Sequence, residues 1–229
     1  MQAIIVQHER SEDEGLIGPA LKRAGFELVH RFRGVHHQDV EAALVVVLGG
    51  RVGVYEADRH PFLLEERALL AERLANDRPC LGICLGAQLL ASAAGAENFK
   101  GKNGLEVGVA PVRLTREAAA DPAFSAAPPK LTVAHWHGDT FGPVPGATLL
   151  ASTDRYSQQA FRLGRSYGLQ FHLELTAEAF GQWLTAGEAE LVAAGKDLAA
   201  LRAQLGKLKG AEAAGVALLE RLAEQLARG

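Results

Sequence analysis

The chain has 229 residues, with 24 basic and 27 acidic side chains, a formal net charge of −3 and a 48% apolar fraction. That is enough for one large α/β domain that buries its own core, and too little for two ordinary domains with a linker. Its two cysteines, the absence of a basic stripe and the early break of the first apolar run at Gln7-His8 exclude a disulfide framework and give no sign of a nucleic-acid or membrane partner; the chain is expected in a reducing cytoplasm.

The first half alternates short β-branched runs with helix-period stretches, the pattern of βαβ units and a largely parallel sheet. Residues 3–7 read as a buried strand. Leu16, Ile17, Ala20, Leu21 and Ala24 follow at helical spacing, with Gly25 as the stop. Strands are expected at 26–30 and 44–48, the second ending in Gly49-Gly50. A helix starts at Pro61, with Leu64, Ala68, Ala71 and Leu74 on its apolar face. A strand at 79–83 and a helix at 85–94 close the first half.

The middle changes rhythm. Short strands at 106–114, 131–136, 147–152, 158–162 and 167–172 are separated by Gly/Pro turns, as antiparallel additions to the main sheet or returns into it. Thr176 can cap a helix from Ala177. From residue 187 the composition shifts to Ala, Leu, Glu and Lys, and two amphipathic helices are expected, separated at Gly210. They either fold back on the domain or offer a self-association surface, which would make a homodimer. The division drawn is 1–186 for the α/β domain and 187–229 for a helical extension.

Gly82-Ile83-Cys84-Leu85-Gly86 lies between a predicted strand and a predicted helix. A glycine on either side of a nucleophile permits a tight strand-to-helix turn that pushes the central side chain out of the sheet edge. At a helix N-terminus, unpaired N–H groups and the positive dipole end favour an anionic side chain, and the Leu85 N–H points where an oxyanion would form. Cys80, inside the apolar strand, is structural. A cysteine nucleophile needs a base and the base needs an orienting group. His172 and Glu174, at i and i+2 near a strand end, face the same way if the strand continues, so the carboxylate can fix the imidazole tautomer.

These segments resemble a known family. Gly82–Gln88 (GICLGAQ) and Gln170–Glu174 (QFHLE) are similar to the two signature segments of the class I, triad-type glutamine amidotransferases. His135-Trp136-His137-Gly138-Asp139 resembles the His-Gly-Asp segment of the glutaminase part of GMP synthase, and Leu48-Gly49-Gly50 falls where the family has its oxyanion loop. The resemblance implies a flavodoxin-like α/β fold and hydrolysis of glutamine to glutamate and ammonia. It makes Cys84 the nucleophile, His172 the proton shuttle and Glu174 its holder. Gly50 and Leu85 would supply the oxyanion N–H groups, and Gln88, Trp136, Gly138 and Asp139 the substrate contacts. No cofactor and no metal are expected, and the ammonia acceptor would belong to a synthetase on another chain. A γ-glutamyl hydrolase or peptidase would use the same thioester, and a non-catalytic module is the third reading. Arg51 stands where the family commonly has proline, which leaves the oxyanion loop less constrained.

Overall fold

The computed structural model describes residues 1–228. In chain order the strands are β1 (Gln2–Gln7), β2 (Glu27–Phe32), β3 (Leu44–Val47), β4 (Cys80–Ile83), β5 (Asn98–Lys100), β6 (Glu106–Leu114), β7 (Lys130–His137), β8 (Asp139–Phe141), β9 (Thr148–Ser152), β10 (Ala160–Leu163) and β11 (Ser166–Leu169). The helices are α1 (Ile17–Arg23), α2 (Phe62–Ala75), α3 (Leu85–Ala93), α4 (Ala177–Ala186), α5 (Glu188–Ala193), α6 (Leu198–Arg202) and α7 (Leu205–Ala227).

The main sheet runs β2-β1-β3-β4-β11-β10-β9-β6-β7. Its first five strands are parallel, in the doubly wound order of flavodoxin-like folds, and the remaining four join antiparallel. Parallel strands are covered on both faces, and β1 shows it. Its Ala3 and Ile5 pack with α1 and α7, while Ile4 and Val6 pack with α2 and α3. In such sheets the crevice for ligands opens at the carboxyl ends of the strands. His8 and Cys84 follow directly on β1 and β4, Gly49-Gly50 comes one residue after β3, and His172 lies just beyond β11.

Three expectations are corrected. The buried face of α2 is Leu63, Glu66, Leu69, Leu70 and Arg73, while Leu64 is exposed. Two charged residues on the inner face hid that stripe. Arg73 is buried because its guanidinium donates to the carbonyls of Val40, Ala42 and Pro79. Second, the strand expected to reach His172 stops at Leu169, whose carbonyl accepts from the Cys84 N–H at 2.8 Å. The chain then crosses to β7, where His172 N donates to the Ala134 carbonyl at 2.9 Å. Third, α7 runs straight through Gly210. A helical glycine costs only about 1 kcal/mol, and Leu218, Leu219, Leu222 and Leu226 bury α7 in the main core. The break falls instead at Ala203-Gln204, where the Gln204 side chain accepts from the Val109 N–H at 2.7 Å. The small β5–β8 sheet was not anticipated.

Candidate active site

The turn from β4 into α3 is as tight as its glycines suggest. Cys84 sits at φ +51°, ψ −106°, a region an L-residue enters only when its surroundings hold it there. A Cβ on Gly82 would stand 2.4 Å from the Gly86 carbonyl oxygen, and one on Gly86 would stand 1.9 Å from that of Val47. Neither position tolerates a side chain. The thiol lies 3.8 Å from the Trp136 carbonyl oxygen, on the cavity side of the turn.

His172 is buried, and its Nδ1 donates to Glu174 Oε1 at 2.5 Å. That fixes the orientation of the ring and leaves Nε2 without a hydrogen-bond partner. Burial opposes the imidazolium, yet the Glu174 carboxylate and Cys84 outweigh it and raise the His172 pKa well above the usual imidazole range. The crossing segment is held from outside by the Leu16 N–H, which donates to the Glu174 carbonyl at 2.9 Å. Trp183 of α4 meets the His172 ring edge-on at 5.1 Å between centroids. The Gly49-Gly50 loop abuts the same two side chains: a methyl built on Gly49 would be 3.4 Å from His172 Cε1 and 3.8 Å from the Cys84 Cβ.

A cavity of about 380 Å³ opens over Cys84 and His172, within the range of small-molecule sites. Gly50, Gln88, Trp136, Gly138 and Asp139 line it, together with Glu12, Tyr55 and Glu190. Gln88 Nε2 donates to the Asp139 carbonyl at 3.2 Å and to Gln170 Oε1 at 3.1 Å, tying α3 to the far wall. Trp136 Nε1 donates to Glu190 at 3.2 Å, and its ring stands edge-on to Phe180. The Tyr55 hydroxyl donates to Asp139 at 2.9 Å. Partial burial and that carboxylate push its pKa up to about 12. Burial raises the Glu12 carboxyl above its ordinary range against the opposing charges of His172 and Arg51.

The sequence profile of the family described as glutamine amidotransferase class-I matches residues 24–189. The chain belongs to the class I glutamine amidotransferases. A crystallised glutamine amidotransferase from Thermotoga maritima is 32% identical, with a TM-score of 0.85 and 98% of each chain covered. A glutamine amidotransferase-like protein of Salmonella typhimurium, YfeJ, is 36% identical over 115 residues, 50% of this chain and 48% of that one. One subunit of the glutamine-hydrolysing GMP synthase of Archaeoglobus fulgidus is 36% identical over 108 residues, 46% of this chain and 57% of that one. The matched part thus spans about half the length of these two relatives. Membership implies cysteine-dependent amidohydrolase chemistry, the general chemistry of the family.

The structure brings together the expected residues. Cys84, His172, Gly50, Gln88, Trp136, Gly138 and Asp139 line the same cavity, Glu174 stands behind His172, and Leu85 begins α3 next to Cys84. Cys80 is sealed in the sheet, and burial pushes its thiol pKa up. Sequence reasoning missed Glu12, Tyr55, Trp183 and Glu190, which arrive from separate loops and helices and share no spacing. It named His135 and His137 only within the His-Gly-Asp segment and missed their grouping with Glu106, the ligand-type atoms of all three lying within 4.8 Å of one another. These three are the group best able to hold a metal. As the structure stands, the Glu106 carboxylate is engaged by His137, Thr153 and Gln159, and His137 Nδ1 donates to the Asp139 carbonyl at 2.9 Å. The network therefore braces the cavity wall. Among the described residues, no helix is long and apolar enough to cross a membrane.

Proposed function

We propose that this amidotransferase is a glutaminase that releases ammonia for an acceptor on another chain. The observation that supports it best is the strained Cys84 at the head of α3, with His172 clamped by Glu174 and its free Nε2 left to the thiol. Cys84 Sγ attacks the side-chain amide carbon while its proton passes to His172 Nε2. The tetrahedral oxyanion is received by the N–H groups of Gly50 and Leu85. Collapse expels ammonia, which takes the proton from His172, and leaves a γ-glutamyl thioester. Water, deprotonated by the same imidazole, then hydrolyses the thioester to glutamate and regenerates the thiol. The walls built from Gln88, Trp136, Gly138 and Asp139 hold the amino-acid end of the substrate. Residues 1–186 are the amidotransferase part in this reading, and 187–229 an extension whose Glu190 reaches the cavity.

The name of the Archaeoglobus relative, part of a synthase, supports a synthetase chain as the partner that consumes the ammonia. The test is ammonia or amine release from glutamine, γ-glutamyl dipeptides and glutathione side by side, with and without a candidate synthetase. Glutamine as the best substrate, with a rate raised by the partner, is expected. Preference for γ-glutamyl peptides would make the protein a γ-glutamyl hydrolase, and no turnover of any of them would remove the hydrolase reading.

A further inference from the structure

Behind the oxyanion loop lies a second buried histidine–carboxylate pair that takes no part in the proton transfers above. His8, at the end of β1, is 1% exposed and Glu66, on α2, is 0% exposed. His8 Nε2 donates to Glu66 Oε2 at 2.9 Å, and His8 Nδ1 donates to the Gly49 carbonyl at 2.8 Å. The other Glu66 oxygen accepts from the Gly34 N–H at 2.9 Å, and Phe62 stacks on the His8 ring at 5.7 Å. Both ring nitrogens face acceptors, which favours the doubly protonated ring. Burial disfavours that cation, but the bond to Glu66, its charge and the Gly49 carbonyl overcome the cost and raise the His8 pKa.

The bond to Gly49 has a geometric consequence. In a trans peptide the carbonyl and the following N–H point in opposite directions. Pinning the Gly49 oxygen on the His8 side therefore sets the Gly50 N–H on the other side. Gly50 lines the cavity and His8 does not. Two consecutive glycines leave this peptide free to rotate, and Arg51 supplies none of the restraint a proline would add. A flip would strand a buried donor on His8 and would turn a carbonyl oxygen toward the developing oxyanion.

We propose that His8, backed by Glu66, is a positioning residue for the oxyanion loop, holding the Gly49–Gly50 peptide so that the Gly50 N–H faces the carbonyl attacked by Cys84. The proposal rests on the hydrolase reading for its catalytic consequence and on geometry alone for the anchoring.

Two conservative variants separate anchoring from general packing. The amide nitrogen of Asn stands close to where His Nδ1 stands, so His8→Asn keeps a donor for Gly49 and loses Glu66. The amide nitrogen of Gln matches Nε2, so His8→Gln keeps Glu66 and loses Gly49. Turnover of the best γ-glutamyl substrate should fall on the order of 10² in kcat in His8→Gln, with KM within about threefold, and should stay within about tenfold of wild type in His8→Asn. Alkylation of Cys84 by iodoacetamide, a displacement that forms no oxyanion, should stay within about threefold of wild type in both. Hydrogen exchange, followed by mass spectrometry, should speed up over residues 48–53 in His8→Gln while β4 keeps its protection. Equal turnover in the two variants, or unchanged exchange at 48–53 in His8→Gln, would overturn the proposal. A parallel loss of iodoacetamide reactivity would do the same, since it would mark collapse of the whole site. A wild-type chain inactive on every γ-glutamyl carbonyl would defeat the hydrolase reading instead, and the exchange measurement would still decide whether His8 anchors the loop.

Discussion

Replacing His135 by Phe should make stability less sensitive to acid. His135 lies on β7, one residue before Trp136, with its ring buried edge-on to Phe171 at 6.4 Å, neither nitrogen hydrogen-bonded and Nδ1 3.8 Å from Glu106. Burial lowers its pKa to about 4 against the opposing charge of Glu106, with His137 adding to the depression. A pKa depressed in the folded state means the unfolded chain binds the proton more tightly. The stabilising contribution is therefore complete above the unfolded value of about 6.5 and is lost as pH falls toward 4. Over that interval the linkage amounts to about 2 kcal/mol at pH 5 and about 3 kcal/mol at pH 4. The larger Phe ring carries its own packing penalty, but that penalty does not depend on pH. Urea unfolding of both proteins at about pH 7.5 and about pH 5 measures the difference directly. The stability gap should shift by about 2 kcal/mol against wild type on acidification. A gap constant to within about 0.5 kcal/mol would show that His135 titrates normally, and the argument from its burial would fail.

Other outcomes follow from the site. Cys84→Gly should be inactive yet more stable than Cys84→Ala by about 1–2 kcal/mol in urea unfolding, because only glycine occupies φ +51° without strain. Glu174→Gln should leave folding intact and lower kcat on the order of 10² or more in a coupled ammonia assay, since the His172 Nδ1–H loses its carboxylate. A near-normal kcat would mean that the orienting group lies elsewhere. Arg51→Pro should change kcat by less than about threefold, because the Gly49 carbonyl is already anchored by His8. A much larger gain would show a loop that rests in the wrong orientation.

The parts of this site legible in the sequence are those whose constraints are local. The Gly82–Gly86 turn and the His172–Glu174 pair each fit within five residues, and their spacing alone limits what the side chains can do. The parallel strands were legible because burial on both faces leaves unbroken apolar runs such as Leu44–Val47. What escaped was polar and non-local. His8 and Glu66 are 58 residues apart and meet only because β1 pairs with β3 and α2 packs beneath them. Glu66 and Arg73 looked like solvent-facing helix residues, and assigning them to the surface rotated the predicted face of α2. Gly210 looked like a helix end because propensity is a local quantity, whereas the leucines that carry α7 through it are buried against α1 and the sheet. Likewise Glu190 and Trp183 enter the cavity from helices whose sequence shows only an amphipathic period.

In the proposed reaction Cys84 becomes acylated by a γ-glutamyl group. A glutamine-derived chloroketone carries the same amino-acid end and places an electrophilic carbon near the position of the amide. Intact-mass spectrometry should show one adduct per chain, tandem spectra should place it on Cys84, and excess glutamine should slow its formation. Cys84→Ala should remain unlabelled and Cys80 unmodified. Labelling centred on Cys80, or labelling of Cys84 that glutamine does not slow, would contradict the account.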